Sequence, residues 1–559
     1  MDGMLGDETT KFGNFAGAVL VIWTLLITML IIFDHGSEFV RRILARRRAR
    51  ANVDIGAVPA KYKPGFTNFL PPRLIRFWLG ARRYWYVPVF ASYFVFSDSV
   101  LWPLIWDPVK TELDMGSRAY DARNYDLALR WYLKAGEHDD AVAQLNVGRL
   151  LRSGKLGKVD YQGALNWFRK AADQGNSDAQ TELGTMFEQG LGVGQNDQEA
   201  MNWFRKAAAR DNASAERKIG QLYYKGSVGG SVGAPDKQQA AIWFRKAAEQ
   251  GDSDAQNDLG LLYETGDGVE KDPKEAMNWY RKAAERGNPT ARYNVGLSYR
   301  DGVGVPADMK QAYEWLHKAA EQGYAKAQLY VGDMLYEGKE INGTDAKPDY
   351  PQALAWYRKA ADQGEAEAQF AVAGMYRDGL GVVTNDQEAM KWYRKAAEQG
   401  HADAQFAIGG LYQQGRGVKK DDVEAMYWYR KAADQGNPRA EYSVGIMYHL
   451  GEGVPQVDAE AMMWYRKAAE QGNADAQNGI GELYMNGSGV PRDYGLAMTW
   501  FHKAAGQGVA RASPRAEYHI GQLYEHGWGV TKDEELALGW MRKAANGGDE
   551  MAKEWLKSH

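Results

Sequence analysis

Histidines, glycine-rich turns and recurring carboxylates are the residues in this chain whose types could support catalysis. The nine histidines are scattered. None stands in a His-Glu-x-x-His pair or another metal-ligand spacing. His519 and His526 share a helical face at i, i+7, but no third ligand lies near them in sequence. A satisfied or solvent-facing role is expected for both. The run Gly190-Leu-Gly-Val-Gly194 resembles a phosphate loop only superficially. It follows a helical pattern rather than a strand, and no Gly-Lys-Ser/Thr closes it. Paired Asp and Glu recur where helices need caps. Cysteine is absent, which excludes disulfides, thiolate metal sites and a cysteine nucleophile. The expectation is a protein with no reaction, no cofactor and no metal.

The elements that carry these residues repeat. Tryptophan recurs at Trp131, Trp167, Trp203, Trp243, Trp279, Trp315, Trp356, Trp392, Trp428, Trp464, Trp500 and Trp540. Eight of the eleven gaps are 36 residues, and the others are 40, 41 and 40. So regular a period predicts a stacked array rather than one globular core. Around Trp279, Ala276, Trp279 and Ala283 stand at i, i+3 and i+7, one apolar helical face. Asp272 suits the N-cap, Pro273 the first helical position, and Glu275 a capping box. Gly287 suits a left-handed C-cap. Leu259, Leu262 and Tyr263 give a second helical face, and Gly266-Asp-Gly268 a turn. Each unit therefore reads as an antiparallel helix pair. Glycines such as Gly148, Gly184, Gly220, Gly260 and Gly296 lie 17 residues after their Trp. A mid-helix Gly costs roughly 1 kcal/mol against Ala, so its recurrence implies close helix approach. The Trp rings are expected to fill the space those glycines leave.

Ala255-Gln256, Gly417-Val418 and Trp428-Tyr-Arg-Lys-Ala432-Ala433 resemble the Sel1-like repeat family. The likeness covers residues 141–548. Residues 111–140 read as a degenerate, more tetratricopeptide-like first repeat, and 549–559 as a C-terminal capping helix in which Met551, Trp555 and Leu556 cover the last repeat. The resemblance implies an all-α, right-handed superhelical solenoid of about twelve helix pairs, used for protein–protein contact, and no shared reaction. Insertions fall at Gly226–Gly233, Glu340–Ala346 and Val509–Arg515, and Asp211 replaces a C-cap Gly.

Charge divides unevenly. Residues 1–110 hold 14 Lys and Arg against 8 Asp and Glu, or +6; the remainder holds 54 against 64, or −10. An acidic array is a poor nucleic-acid binder, so no nucleic-acid partner is expected. The Arg-Lys pair after each Trp is expected to complement the helix dipole beside neutralising carboxylates. Residues 1–110 read as a membrane anchor. Residues 13–33 are uncharged and long enough for a span. The basic loop 34–83 carries Arg41, Arg42, Arg46, Arg47, Arg48 and Arg50, which places it in the cytoplasm beside anionic lipid. Residues 84–106 form an expected second span bounded by Tyr84, Trp85, Trp102 and Trp106. Asp98 interrupts it, and a partner helix could satisfy that carboxylate. With two spans the solenoid lies in a periplasm, at a bacterial inner membrane; with one, in the cytoplasm.

One position, 14 residues after each Trp, varies along the array. It reads Tyr293, Leu329, Phe370, Phe406 and Tyr442 in five successive units, on the first helices, which line the concave side in related solenoids. Arg300, Arg377 and Tyr336 lie nearby. Aromatic and Arg residues are common binding hot spots, so this stripe is the candidate site for a peptide or helix; inter-repeat packing is the plainer role. The function expected is a membrane-anchored interaction scaffold or adaptor, an accessory subunit of a larger inner-membrane complex. A glycan- or peptidoglycan-binding envelope protein is the alternative.

Overall fold

The computed structural model describes residues 108–228, 234–338, 347–509 and 512–559. The expected spans, the basic loop and Asp98 lie outside the described residues. Among those described there are 25 α-helices, no strands, and no helix long and apolar enough to cross a membrane. Helices pair in sequence order, from Pro108–Asp121 with Tyr125–Glu137 to Ala512–His526 with Glu534–Asn546. Each pair then packs on the next, as a solenoid requires.

Local signals act largely as expected. The Asp272 carboxylate accepts from the Lys274 and Glu275 amides, and Pro273 opens the helix Pro273–Glu285. The capping box does not close: the Glu275 carboxylate accepts from Asn278 instead. Gly266 ends the helix Ser253–Thr265 with φ +83°, a conformation glycine takes without a Cβ penalty. Asp211, in place of a glycine, holds φ +55°. The second glycine of each turn has a separate task. Gly268 lies against the Lys237 carbonyl, and Gly304 against that of Pro273, where a Cβ has no room. These loops seat one repeat on its predecessor.

The packing corrects one expectation. The residue that fills the space left by glycine is the one after each Trp. At Gly260 a Cβ would stand 2.6 Å from the ring of Tyr280; at Gly184 it would stand 2.5 Å from Phe204. Tyr280, Phe204 and Tyr393 are fully buried. Each Trp instead reaches backward. Trp279 joins the core formed by Ala240, Phe244, Leu259 and Leu262, so it spans the preceding second helix and its own first helix. Of the twelve, Trp279, Trp392 and Trp464 are buried and the others half-buried, and the outer face of each carries a lysine one turn later. Lys282 stands 3.8 Å from the Trp279 ring centroid, and Lys359 3.6 Å from that of Trp356. All twelve repeats pair Trp and Lys in this way. The Arg of the Arg-Lys pair reaches a tyrosine hydroxyl, as Arg394 does with Tyr412 at 2.7 Å. The neutralising carboxylates expected beside these pairs are mostly replaced by aromatic partners, although Lys543 also meets Glu517 at 2.8 Å.

A buried polar ladder completes each interface. Gln405 donates to the Ala397 carbonyl of the preceding repeat and accepts from Gln435, just past the second helix of its own repeat, at 2.7 Å. Gln369 with Gln399, and Gln477 with Gln507, repeat the arrangement. It breaks where the same repeat ends its second helix with Arg210 or Arg286, leaving the side-chain oxygens of Gln180 and Gln256 buried without a partner. The helix Glu550–Ser558 packs on the preceding helix Glu534–Asn546. Ala552 is buried and the Trp555 indole donates to Glu525, but Met551 faces solvent, 44% exposed, rather than covering the core.

Candidate partner interface

Positions 14, 18 and 21 after each Trp are spaced i, i+4 and i+7 on the first helix of each pair and so share one face. At both ends of the array this face is closed by ion pairs between successive repeats. Arg149 and Arg152 both meet Glu182, at 2.9 and 2.8 Å. Lys218 and Lys225 both meet Glu188. Burial opposes ionisation of Glu188, but the two lysines outweigh it and hold its carboxyl below its ordinary value. Arg217 lies 3.5 Å from Asp252, and His519 2.9 Å from Glu482.

In the middle of the array the face changes character. Tyr293, Leu329, Phe370, Phe406 and Tyr442 are all half-buried. Tyr293 meets Tyr324 at 5.3 Å and Tyr330 at 6.0 Å between ring centroids. Phe370 stacks on His401 at 4.8 Å and tilts against Tyr393 at 5.6 Å. Phe406 and Tyr442 lean on Tyr429 and Tyr465. The stripe thus shares its rings between inter-repeat packing and solvent. Its arginines bond along their own helices: Arg300 with Asp301, and Arg377 with Asp378 at 2.7 Å. Arg300 also lies over Tyr330, and Tyr336, 38% exposed, packs edge-on against Tyr350. His401 accepts from the Ala404 amide at Nδ1 and donates from Nε2 to Glu367 at 2.8 Å, and that contact raises its pKa against the opposing effect of burial.

Two features of this face escaped the sequence reading. Gly374 and Gly410 occupy position 18 in successive repeats, where Leu297 and Ile446 stand elsewhere. A Cβ on Gly374 would touch only the Tyr393 hydroxyl, at 3.9 Å, and one on Gly410 only that of Tyr429, at 3.6 Å. The helix surface is therefore notched between Phe370 and Phe406. The doublet Gly409-Gly410 was the available signal. Beneath the notch, Tyr429 donates to Gln413 and Tyr280 to Glu264, each 16 residues earlier. The matching acceptor of Tyr393 would be residue 377, which is arginine, so its buried hydroxyl has no partner. Burial pushes that hydroxyl's pKa up to about 12, against the pull of Arg377 and Arg416.

Among the described residues, the groups singled out for chemistry lie apart. Two open hollows, of about 580 and 630 Å³, lie around Trp279 and Trp243; neither lining includes a Ser, Thr or His. His519 is buried on Glu482 and Gln522, while His526 lies beside Trp528. Among the described residues no three His, Asp or Glu side chains are placed to hold a metal ion.

The known proteins agree with this architecture. A protective antigen of uropathogenic Escherichia coli with an SLR fold is 34% identical, covers 76% of this chain and 88% of its own, and superposes with a TM-score of 0.61. A Sel1 repeat protein from Oxalobacter formigenes is 36% identical over 57% of this chain and 90% of its own, with a TM-score of 0.44. No curated protein matches. The Sel1 repeat itself matches twelve consecutive stretches, from 116–140 and 141–176 through 474–509 to 514–549. With paired helices, a backward-reaching Trp and a glycine seat in nearly every unit, the chain belongs to the Sel1 repeat family, whose fold is commonly used for protein–protein interaction and is typically a non-catalytic scaffold.

Proposed function

We propose that the protein is a membrane-anchored adaptor whose solenoid holds a protein partner on the first-helix face between Tyr293 and Tyr442. The observation that carries this is the contrast along that face. Its ends are closed by ion pairs between repeats, whereas its centre presents half-buried Tyr293, Leu329, Phe370, Phe406 and Tyr442 beside Arg300, Arg377 and Tyr336. Aromatic rings and arginines at the centre of a surface, rimmed by satisfied polar groups, are the usual anatomy of a binding hot spot. The uncharged stretch 13–33 and the aromatic-bounded stretch 84–106 support attachment to a bacterial inner membrane, with the solenoid on the periplasmic side. Asp98 then faces an integral-membrane subunit of the same assembly, since an intramembrane carboxylate pairs with a partner or a cavity rather than lipid. Two weak attachments on one chain reinforce each other through effective concentration.

In-cell crosslinking followed by purification from solubilised membranes tests the reading. Leu329→Ser, Phe370→Ser and Phe406→Ser combined should abolish the crosslinked partner while the far-ultraviolet circular dichroism stays helical. Deleting residues 1–110 should weaken co-purification and leave the solenoid folded. A partner retained at full yield by both changes removes the proposal. Trp528, 37% exposed and stacked on Tyr494 at 5.5 Å, favours the second reading, an envelope glycan. Binding of soluble peptidoglycan fragments lost on Trp528→Ala would support that reading instead.

A further inference from the structure

We infer that the notch floored by Gly374 and Gly410 is the specificity pocket of this surface, and that it takes an acidic, apolar linear segment of the protein partner. The inference rests on the binding face proposed above and names the chemistry that face selects.

Three observations converge on the notch. The first is shape. Position 18 carries Leu297 and Asp333 in the two preceding repeats and Ile446 in the following one, but glycine at 374 and 410. Both glycines are partly exposed, and a side chain added at either meets only a tyrosine hydroxyl at ordinary contact distance. Phe370 and Phe406, both half-buried, stand one turn before these glycines on the two helices. The space accepts an aliphatic or aromatic side chain from outside.

The second is an unsatisfied buried group. The Tyr393 side chain is 0% exposed, and its hydroxyl lies directly under Gly374 without a hydrogen-bond partner. Its counterparts Tyr280 and Tyr429 are satisfied by Glu264 and Gln413. A buried hydroxyl without a partner is unfavourable, and a carboxylate or carbonyl arriving beside it relieves that cost.

The third is charge. Position 21 holds Arg152, Glu188, Tyr224 and Glu264 toward one end, then Arg300, Tyr336, Arg377, Gln413, His449 and Met485; Glu525, shifted to 25 residues after Trp500 by the insertion at 509–515, takes the equivalent place at the other end. On an acidic solenoid, the line past the notch is the longest run of this position without a carboxylate. Arg377 is 38% exposed and is held only by Asp378, the next residue, itself 43% exposed. An exposed ion pair of this kind contributes little and exchanges readily, leaving the planar guanidinium to take a partner's carboxylate in the same two-bond geometry. Arg416, bonded to Asp386 and to the Arg377 carbonyl, keeps the Arg377 backbone in place.

Short random peptides displayed on phage and selected on the full-length protein test the assignment. The expected winners place Asp or Glu next to Leu, Ile or Phe. Binding of the best synthetic winner, followed by fluorescence anisotropy, should weaken at least about tenfold with Gly374→Leu and with Arg377→Gln. Arg377→Lys should restore only part of that loss. Replacing the peptide's acid by its amide should weaken binding to the natural protein and leave the Arg377→Gln protein unaffected. Thermal melting of each variant guards against misfolding, and Gly374→Leu should melt no lower than the parent. Selection that yields basic peptides, or none, overturns the inference, as does binding indifferent to Gly374→Leu. If the cellular partner is lost with the three-residue stripe variant but kept by Gly374→Leu and Arg377→Gln, the binding face stands and the pocket does not.

Discussion

Gly260 packs so closely on the Tyr280 ring that a Cβ would stand 2.6 Å from it, whereas the space above Gly374 holds nothing nearer than the Tyr393 hydroxyl at 3.9 Å. The same residue type on equivalent helices therefore serves opposite ends. Gly260→Ala gains helix propensity of about 1 kcal/mol but pays about 1–3 kcal/mol for overpacking, so it should destabilise its repeat. Gly374→Ala has no clash to offset and should stabilise by about 0.5–1 kcal/mol. Hydrogen exchange read repeat by repeat is the suitable measurement, because a long array does not unfold in one step.

Trp392 and Lys395 separate packing from charge. Trp392→Ala should cost about 3–5 kcal/mol locally, as buried Trp truncations do. Lys395→Met, which removes a cation 3.7 Å from that ring while keeping most of the stem, should cost less than about 1 kcal/mol. Equal losses would mean that the lysine, not the ring, secures the joint.

Much of this fold was legible because its period is written in large residues. The spacing of Trp gave the helix pairs, and Asp272, Pro273 and Gly266 marked their ends. What the sequence could not show was the partner of each ring. Trp279 and Tyr280 are adjacent, and a helical wheel assigns both to the core. Only the relative placement of neighbouring helices decides that Tyr280 meets Gly260 while Trp279 turns back. The stripe from Tyr293 to Tyr442 was visible as a list of residue types. The notch beside it was not, since a glycine at 374 is silent until its neighbours are placed.

The broken rungs of the glutamine ladder make a third test. Arg286 stands where other repeats supply a glutamine, and the Gln256 oxygen is left without a donor. Arg286→Gln should complete the rung and raise the stability of that interface by about 0.5–1.5 kcal/mol, the net value of a hydrogen bond. A loss of stability in urea titrations would show that Arg286 supports the joint in another way.

Acid and alkali should act on different joints. Burial raises the Asp258 pKa to about 6, with Arg217 opposing, so its neutral form suits the folded state. Its contribution is present below its unfolded value of about 3.9 and is lost as pH rises through 6. Asp258→Asn should therefore stabilise at pH 7 by about 2 kcal/mol and not at pH 4. Glu188, held below its ordinary value, works the other way. Its contribution is present above the unfolded pKa of about 4.3 and disappears as pH falls through the lower folded value. Exchange protection around Lys218 should drop in that acid window, and Glu188→Gln should remove the drop.

Topology has a direct readout. A reporter active only in the periplasm, fused after His559, should be active if residues 13–33 and 84–106 both span. Activity confined to a cytoplasmic reporter would mean that 84–106 does not cross, and Asp98 would then need no intramembrane partner.

The backward reach of each Trp gives the array a direction in time. A ribosome delivers the helix Lys237–Glu249 and the helix Ser253–Thr265 before Trp279, so the cleft that Trp279 enters already exists when the ring emerges. Every repeat is finished by the one that follows it, and growth proceeds like bricklaying, each course locking the last. Translation arrested partway should leave a sound stump with one loose unit at its end. The same chain cut from the front would lose the cleft into which its first remaining ring must fit. The Glu550–Ser558 helix keeps that order: it emerges after the pair it packs on and donates its indole N–H back to Glu525.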